Sequence, residues 1–267
     1  MQNIEIFYTQ DGSIGLYDKA LDEIFHSKYG AKKEAFEKFI EPALILNNKP
    51  LKILDICYGI GYNTKCALEN FKNIELIDCV EINKELVLKS HEFEYDKKIN
   101  KIIKENLEKP DFINFYIDDA RNIIPKLNKK YDIIFHDGFA PHKHSVLWSE
   151  NFIFELSNLM HKNSIYCTYN HSKPVLKALY ENNLIIGKTI KENKTIGTIA
   201  SFNPELILNK YNNLELGELN TKSAITYKDK ELNLTHKEII NARKKEIDSS
   251  SLISLSRYKK ELKLSLN

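Results

Sequence analysis

Apolar residues fall in short, nearly unbroken runs along the middle of the chain. Residues 51–57 (LKILDIC), 74–82 (IELIDCVEI), 112–117 (FINFYI), 131–136 (YDIIFH) and 164–169 (SIYCTY) are rich in Ile, Leu, Phe and Tyr and predict strands. Two further runs, 184–190 and 196–202, predict a closing hairpin. Between them, residues 63–71, 84–93, 120–127, 149–160 and 173–182 carry helical spacing. Strands that are apolar on both faces and alternate with helices predict an α/β fold. The sheet is expected to be mostly parallel and Rossmann-like, with helices on both faces.

Two pieces stand outside that alternation. The first, residues 1–48, opens on the turn signal Thr9-Gln10-Asp11-Gly12-Ser13 and continues through 17–27 and 31–46, both read as helical. The second begins at Asn203 and contains a predicted helix over 235–248, with Thr235 as cap and Glu238 three residues on. The expected organisation is an N-terminal extension (1–48) that contributes to the site, a core (49–202) and a C-terminal extension (203–267).

Composition narrows the class. At 267 residues and 42% hydrophobic, the chain can bury one α/β core. Mean hydropathy is −0.41, and no apolar run approaches the roughly 18 residues of a membrane span. The N-terminus lacks the regions of a signal peptide, so a cytoplasmic location without a membrane partner is expected. Cys57, Cys66, Cys79 and Cys167 form no C-x-x-C pair and read as small thiols of a reducing compartment. Net charge is only +2, but the stretch from Lys222 onward carries +5, a hint of a nucleic-acid partner. Lysine is the solubilising residue throughout, which gives the same charge a blander meaning.

The strand over 51–57 runs into Tyr58-Gly59-Ile60-Gly61-Tyr62-Asn63-Thr64 and then a helix. Two glycines allow a sharp turn and a close approach of the backbone to a ligand. Thr64 stands where a third glycine would cradle a pyrophosphate, which favours a cosubstrate without phosphate; a tight turn with no ligand remains the plain alternative. Glu81 ends the second strand 20 residues after Gly61, the spacing at which an acid accepts from both ribose hydroxyls. The third strand ends at Asp118-Asp119, where an adenine amino group can be received; Asp119 reads equally well as a helix cap.

After the fourth strand comes Asp137-Gly138-Phe139-Ala140-Pro141-His142-Lys143-His144. Methyl transfer needs an acceptor held in line with its lone pair free, and Asp137 can orient an amine and take its proton. It can instead bind the α-amino group of the cosubstrate. Phe139 can stack on a base. His136, His142 and His144 lack a completing carboxylate or Cys, so no metal is expected.

Taken together these residues resemble the methyltransferase domain of the MnmC family, which completes 5-methylaminomethyl-2-thiouridine at the tRNA wobble position. Asp11-Gly12-Ser13, 24–27 (IFHS), Gly30-Ala31 and Glu34 resemble its N-terminal signature. Residues 58–63 resemble its F-G-x-G-x-N loop, with Ile60 and Tyr62 replacing the usual Thr and Leu. Residues 137–141 with Lys143, Trp148 and Phe152 resemble its D-G-F-A-P-x-K…W…F stretch, 167–170 its T-[FY] strand, and 227–243 the tail of single-domain members. The resemblance implies S-adenosylmethionine as cosubstrate, lined by Tyr58, Gly59, Gly61, Asn63, Glu81, Asp119 and Asp137, with Ser27 touching it. It implies tRNA as the partner, and Phe139, Pro141, Lys143 and Trp148 near the mouth of the sheet are expected to meet it. Bifunctional members add a flavin oxidase domain; no second glycine loop is present here, so the methyl step alone, without flavin, is expected. A separate oxidase or aminomethyl-forming enzyme would then supply the amine. The rival readings are an aminopropyltransferase or small-molecule N-methyltransferase on the same scaffold, and a catalytically silent tRNA-binding protein. Gly59, Gly61, Glu81 and Asp137 argue against the last.

Overall fold

A computed structural model describes residues 4–20 and 22–265; Leu21 and both chain ends, including the residues read for a signal peptide at positions 1–3, lie outside the described residues. The first element is a three-stranded antiparallel sheet, β1 (Ile4–Tyr8), β2 (Ile14–Asp18) and β3 (Glu23–Ile24). The helix expected over 17–27 is therefore corrected. Tyr17 and Asp18 pair with Ile24 and Glu23 across a tight reversal. Asp22 turns the chain there at φ 51°, and its carboxylate accepts from the Tyr17 hydroxyl at 2.7 Å. Cross-strand pairing overrides local helix preference here.

The helix expected over 31–46 forms as α1 (Ala31–Ala35), continued by a π-helical turn (Phe36–Ile40) and a 3-10 turn (Glu41–Leu46). The Asp11-Gly12-Ser13 turn secures its start. Asp11 accepts from the Ser13 and Lys33 amides, and the Ser13 hydroxyl accepts from the Ala31 amide at 2.8 Å. Orphan amides of the first helical turn are thereby satisfied.

The main sheet has seven strands: β4 (Leu51–Ile56), β5 (Ile74–Glu81), β6 (Ile113–Ile117), β7 (Tyr131–His136), β8 (Met160–Thr168), β9 (Ile185–Lys191) and β10 (Lys194–Ser201). Their order is β6-β5-β4-β7-β8-β10-β9. The first five are mutually parallel, and β10 runs antiparallel to both neighbours. Each of the seven expected strands is present within a few residues. The crossing helices are α2 (Tyr62–Asn70), α3 (Lys84–Lys89), α4 (Lys97–Glu108), α5 (Ala120–Ile123), α6 (Glu150–Asn158) and α7 (Lys173–Glu181). Of these, α4 is not evident in the sequence pattern. Lysine dominates it, but Asp96 caps it, accepting from the Lys98 and Ile99 amides, while Ile99 and Ile103 turn inward.

Apolar cores fill both faces of the sheet, one under α2, α4 and the N-terminal piece, the other under α6 and α7. The C-terminal piece adds α8 (Asn213–Gly217), α9 (His236–Ser249) and α10 (Leu255–Ser265). Thr235 and Glu238 form the expected capping box. Buried Asp229 anchors this piece: it pairs with Arg121 and accepts from the Asn233 and Leu234 amides. Chain direction diverges at β4, whose carboxyl end is the crevice where open parallel sheets bind ligands.

Candidate active site

At that crevice lies a cavity of about 560 Å³. One end is built by the tips of β5 and β6, with Glu81, Asn83, Asp118 and Asp119. The other is built by the tips of β7 and β8, with Asp137, Phe139 and Tyr169. The segment between β3 and α1 forms the roof, with Phe25, His26 and Ser27 in the wall beside Glu34 of α1.

The glycine loop shapes the floor. Gly61 sits in the left-handed region at φ 83°, and a Cβ there would stand 2.4 Å from the Tyr58 hydroxyl, so only glycine fits. Gly59, at φ 58°, faces the cavity beneath Phe25; a Cβ there would lie 3.6 Å from that ring. Cys57 also takes a left-handed backbone, φ 66°, at the sharp exit from β4. The Glu81 carboxylate is buried and accepts from the Gly59 amide at 2.8 Å and the Asn83 amide at 2.9 Å. It thus ties the β5 tip to the loop while still lining the cavity. Burial raises its affinity for a proton against the pull of those amides.

At the β6 tip, Asp119 caps a helix, accepting from the Arg121 amide, and also lines the cavity. Burial works against its charge, but the Arg121 guanidinium holds it below the usual carboxylate range. Asp118 is exposed at the rim, where it accepts from the Asp119 amide and from the Asn122 side chain.

Asp137 sits at the far end. The Asn63 side chain donates to it at 2.9 Å. Loss of solvent pushes its carboxyl up to about 7, and the charge of Glu34 adds to the rise. Glu34 itself is held by the Ser27 amide at 2.7 Å and by Lys38. Tyr169 closes the corner, its hydroxyl donating to the Gly138 carbonyl at 2.8 Å. Phe139 meets Phe25 edge-to-face at 5.1 Å between centroids, an aromatic pair across the mouth.

Several residues expected to touch ligands are placed behind the wall instead. Trp148 is fully buried: its ring stacks on His136 at 4.1 Å and its indole donates to the Phe139 carbonyl at 2.7 Å. It supports Phe139 and has no face left for a base. Tyr58 is buried against Phe115, with its hydroxyl donating to Ser90. Gly61, Asn63 and Pro141 likewise stand outside the lining; Gly61 packs against Tyr58, and Asn63 donates to Asp137. Lys143 reaches over the mouth toward the Asp22 carbonyl (3.5 Å) and the Glu23 carboxylate (3.7 Å), joining the β7 loop to the roof. Conversely, Phe25, His26, Glu34, Arg121 and Tyr169 line the cavity without having been singled out for it. Three of them sit in or beside the N-terminal signature, which was the available signal. Among the described residues no cluster of His, Cys, Asp and Glu is arranged to hold a metal, and no helix is long and apolar enough to cross a membrane.

Residues 84–201 match the model of an S-adenosyl-L-methionine-dependent methyltransferase family. The crystal structure of MNMC2 from Aquifex aeolicus superposes with a TM-score of 0.80 and 26% identity, covering 92% of this chain and 86% of that one. This chain belongs to the MnmC-type S-adenosyl-L-methionine-dependent methyltransferases. An uncharacterized protein of Methanocaldococcus jannaschii is 34% identical over 94% of the chain and 75% of its own length. The bifunctional tRNA 5-methylaminomethyl-2-thiouridine biosynthesis protein MnmC of Campylobacter hominis is 24% identical over 62% of the chain. The match spans only 27% of that longer protein. The cavity has a buried acid, Glu81, at one end, a glycine floor, and the acids Glu34 and Asp137 at the other end.

Proposed function

We propose that this chain methylates the side-chain amine of a 5-aminomethyluridine at the tRNA wobble position, giving 5-methylaminomethyl-(2-thio)uridine. The observation that carries the proposal is Asp137, a carboxyl held by Asn63 at the cavity end and pushed up to about 7. Such a group accepts a proton from an ammonium near neutral pH, leaving the amine its lone pair. The name of the Campylobacter hominis relative supplies the acceptor's chemistry. S-adenosylmethionine, when bound, supplies a methyl group on a cationic sulfur. Glu81 accepts from its ribose, Gly59 gives it room, Asp118 and Asp119 meet its adenine end, and Ser27 faces its other end. Phe139, backed by Trp148 and Pro141, stacks on the splayed uracil, and Lys143 stands at the rim. A separate oxidase or aminomethyl-forming enzyme supplies the amine, and this chain acts without flavin or metal.

The test is methyl transfer from labelled S-adenosylmethionine to tRNA carrying the aminomethyl group, read by mass analysis of the nucleosides. The expected product is 5-methylaminomethyluridine, with or without the 2-thio group. Transfer to a free polyamine or another small amine, with none to that tRNA, would sink the proposal.

A further inference from the structure

The C-terminal piece reaches the cavity through one side chain. Arg121 of α5 is in the cavity wall, and its guanidinium lies between two carboxylates. Nη2 donates to Asp119 at 2.8 Å, and Nε to both Asp119 oxygens at 3.2 Å. Nη1 donates instead to Asp229 at 3.2 Å and to the Leu234 carbonyl at 2.8 Å. The side chains of Asp119, Arg121 and Asp229 are 25%, 15% and 0% exposed, so the network runs from the cavity into the core.

Asp229 is the fixed end. Its Oδ1 accepts from the Asn233 and Leu234 amides at 2.9 and 3.1 Å, and its Oδ2 is offered to Arg121. Its own amide donates to the Asn151 side chain of α6 at 3.0 Å. A guanidinium is planar and rigid, so the partners of Nη1 set the plane in which Nε and Nη2 donate. That edge in turn sets Asp119. The Arg121 amide, Nε and Nη2 are three donors to one carboxylate. A carboxylate has about four lone-pair sites. One is left for a donor in the cavity, and the other three dictate its direction.

We infer that Asp229 is a positioning residue: through Arg121 it aims the open acceptor of Asp119 at the exocyclic amine of the cosubstrate's adenine, so that the cavity selects an aminopurine over an oxopurine. An amine in that place donates to the carboxylate, whereas an oxo group sets one acceptor against another. The inference rests on the adenine end of the proposed cosubstrate and is independent of the methyl acceptor. It makes the C-terminal piece part of cosubstrate recognition.

Calorimetry on the full chain with two ligands tests it. One is 5′-methylthioadenosine; the other is 5′-methylthioinosine, which has an oxo group in place of the amine. The unaltered protein should prefer the first by about tenfold or more, the scale of a hydrogen bond to a charged group. Asp229→Asn keeps an acceptor for the Asn233 and Leu234 amides but turns a donor toward Nη1. It should weaken 5′-methylthioadenosine binding severalfold and leave 5′-methylthioinosine binding unchanged, which also shows the fold intact. Arg121→Lys, which keeps the charge but loses the planar fork, should narrow the preference in the same way. Equal weakening of both ligands in both variants would mean that the network only seats the C-terminal piece and would overturn the inference, as would a preference unchanged in both. No preference in the unaltered protein would instead bring down the placing of adenine at Asp119.

Discussion

Asp137 and Asp55 show how the same residue type serves different ends in two neighbouring parallel strands, Asp55 within β4 and Asp137 just after β7. Asp137 is raised to about 7 at the cavity. As a proton acceptor it works only when ionised, so the single-turnover methylation rate should fall as pH drops through about 7. Asp137→Asn should lower that rate by about 10²-fold and abolish this limb of the profile. A variant with near-normal rate and an unchanged profile would make Asp137 structural. Asp55 is fully buried at the end of β4; it accepts from the Thr64 hydroxyl at 2.6 Å, and its other oxygen has no partner. Burial raises its carboxyl to about 6. A carboxyl raised in the folded state favours folding at low pH, and that contribution is lost as pH rises from the unfolded value near 4 to about 6. Asp55→Asn should remove this loss and raise stability at pH 7 by on the order of 3 kcal/mol. Urea midpoints between pH 4.5 and 7.5 read the difference, and a variant less stable at pH 7 would refute it.

At the scale of elements, the site is a set of strand tips held together by buried polar links. Glu81 illustrates this, since its carboxylate spans the β5 tip and the glycine loop before any ligand arrives. Glu81→Ala should therefore cost twice. It removes the acceptor for the ribose, and it leaves the Gly59 and Asn83 amides unpaired. Binding of S-adenosylhomocysteine and of 5′-methylthioadenosine should both weaken, by about tenfold or more, because both carry the ribose. Calorimetric affinities unchanged for both would remove Glu81 from the site.

Over the whole molecule, the wall of the cavity is acidic while exposed lysines lie on the C-terminal piece. Lys237, Lys244 and Lys245 point outward from α9, whose inner face buries Ile239 and fixes Arg243 on the Ser223 and Ile225 carbonyls. The N-terminus of α9 stands near the cavity, with His236 accepting from the Ser145 amide one residue beyond His144 of the wall. An RNA whose modified base enters the cavity can lay its phosphates on that lysine face. If so, tRNA affinity should fall steeply with salt. Replacing Lys237 and Lys244 together by Ala should then reduce the slope by about 0.7 to 0.9 for each phosphate no longer neutralised. Filter binding across a salt series checks this. An unchanged slope would move the RNA to another face.

The alternating apolar runs determined the parallel sheet and its strand ends, because strands buried on both faces need near-continuous apolar sequence. The glycine spacing and the acid that follows it brought Gly59, Glu81 and Asp119 to one crevice, since the chain after each parallel strand leaves from the same edge of the sheet. The sequence misled over 17–27, where pairing with β2 outweighed local helical preference, and it hid α4, whose inward stripe is set among lysines. Only the tertiary structure decided which side chains face the cavity. It turned Trp148 into the core behind Phe139, used Lys143 to join the β7 loop to the roof, and brought Phe25 and His26, just after β3, and Glu34 of α1 to the cavity wall. Those outcomes depend on packing between segments far apart in the chain, which local pattern does not encode.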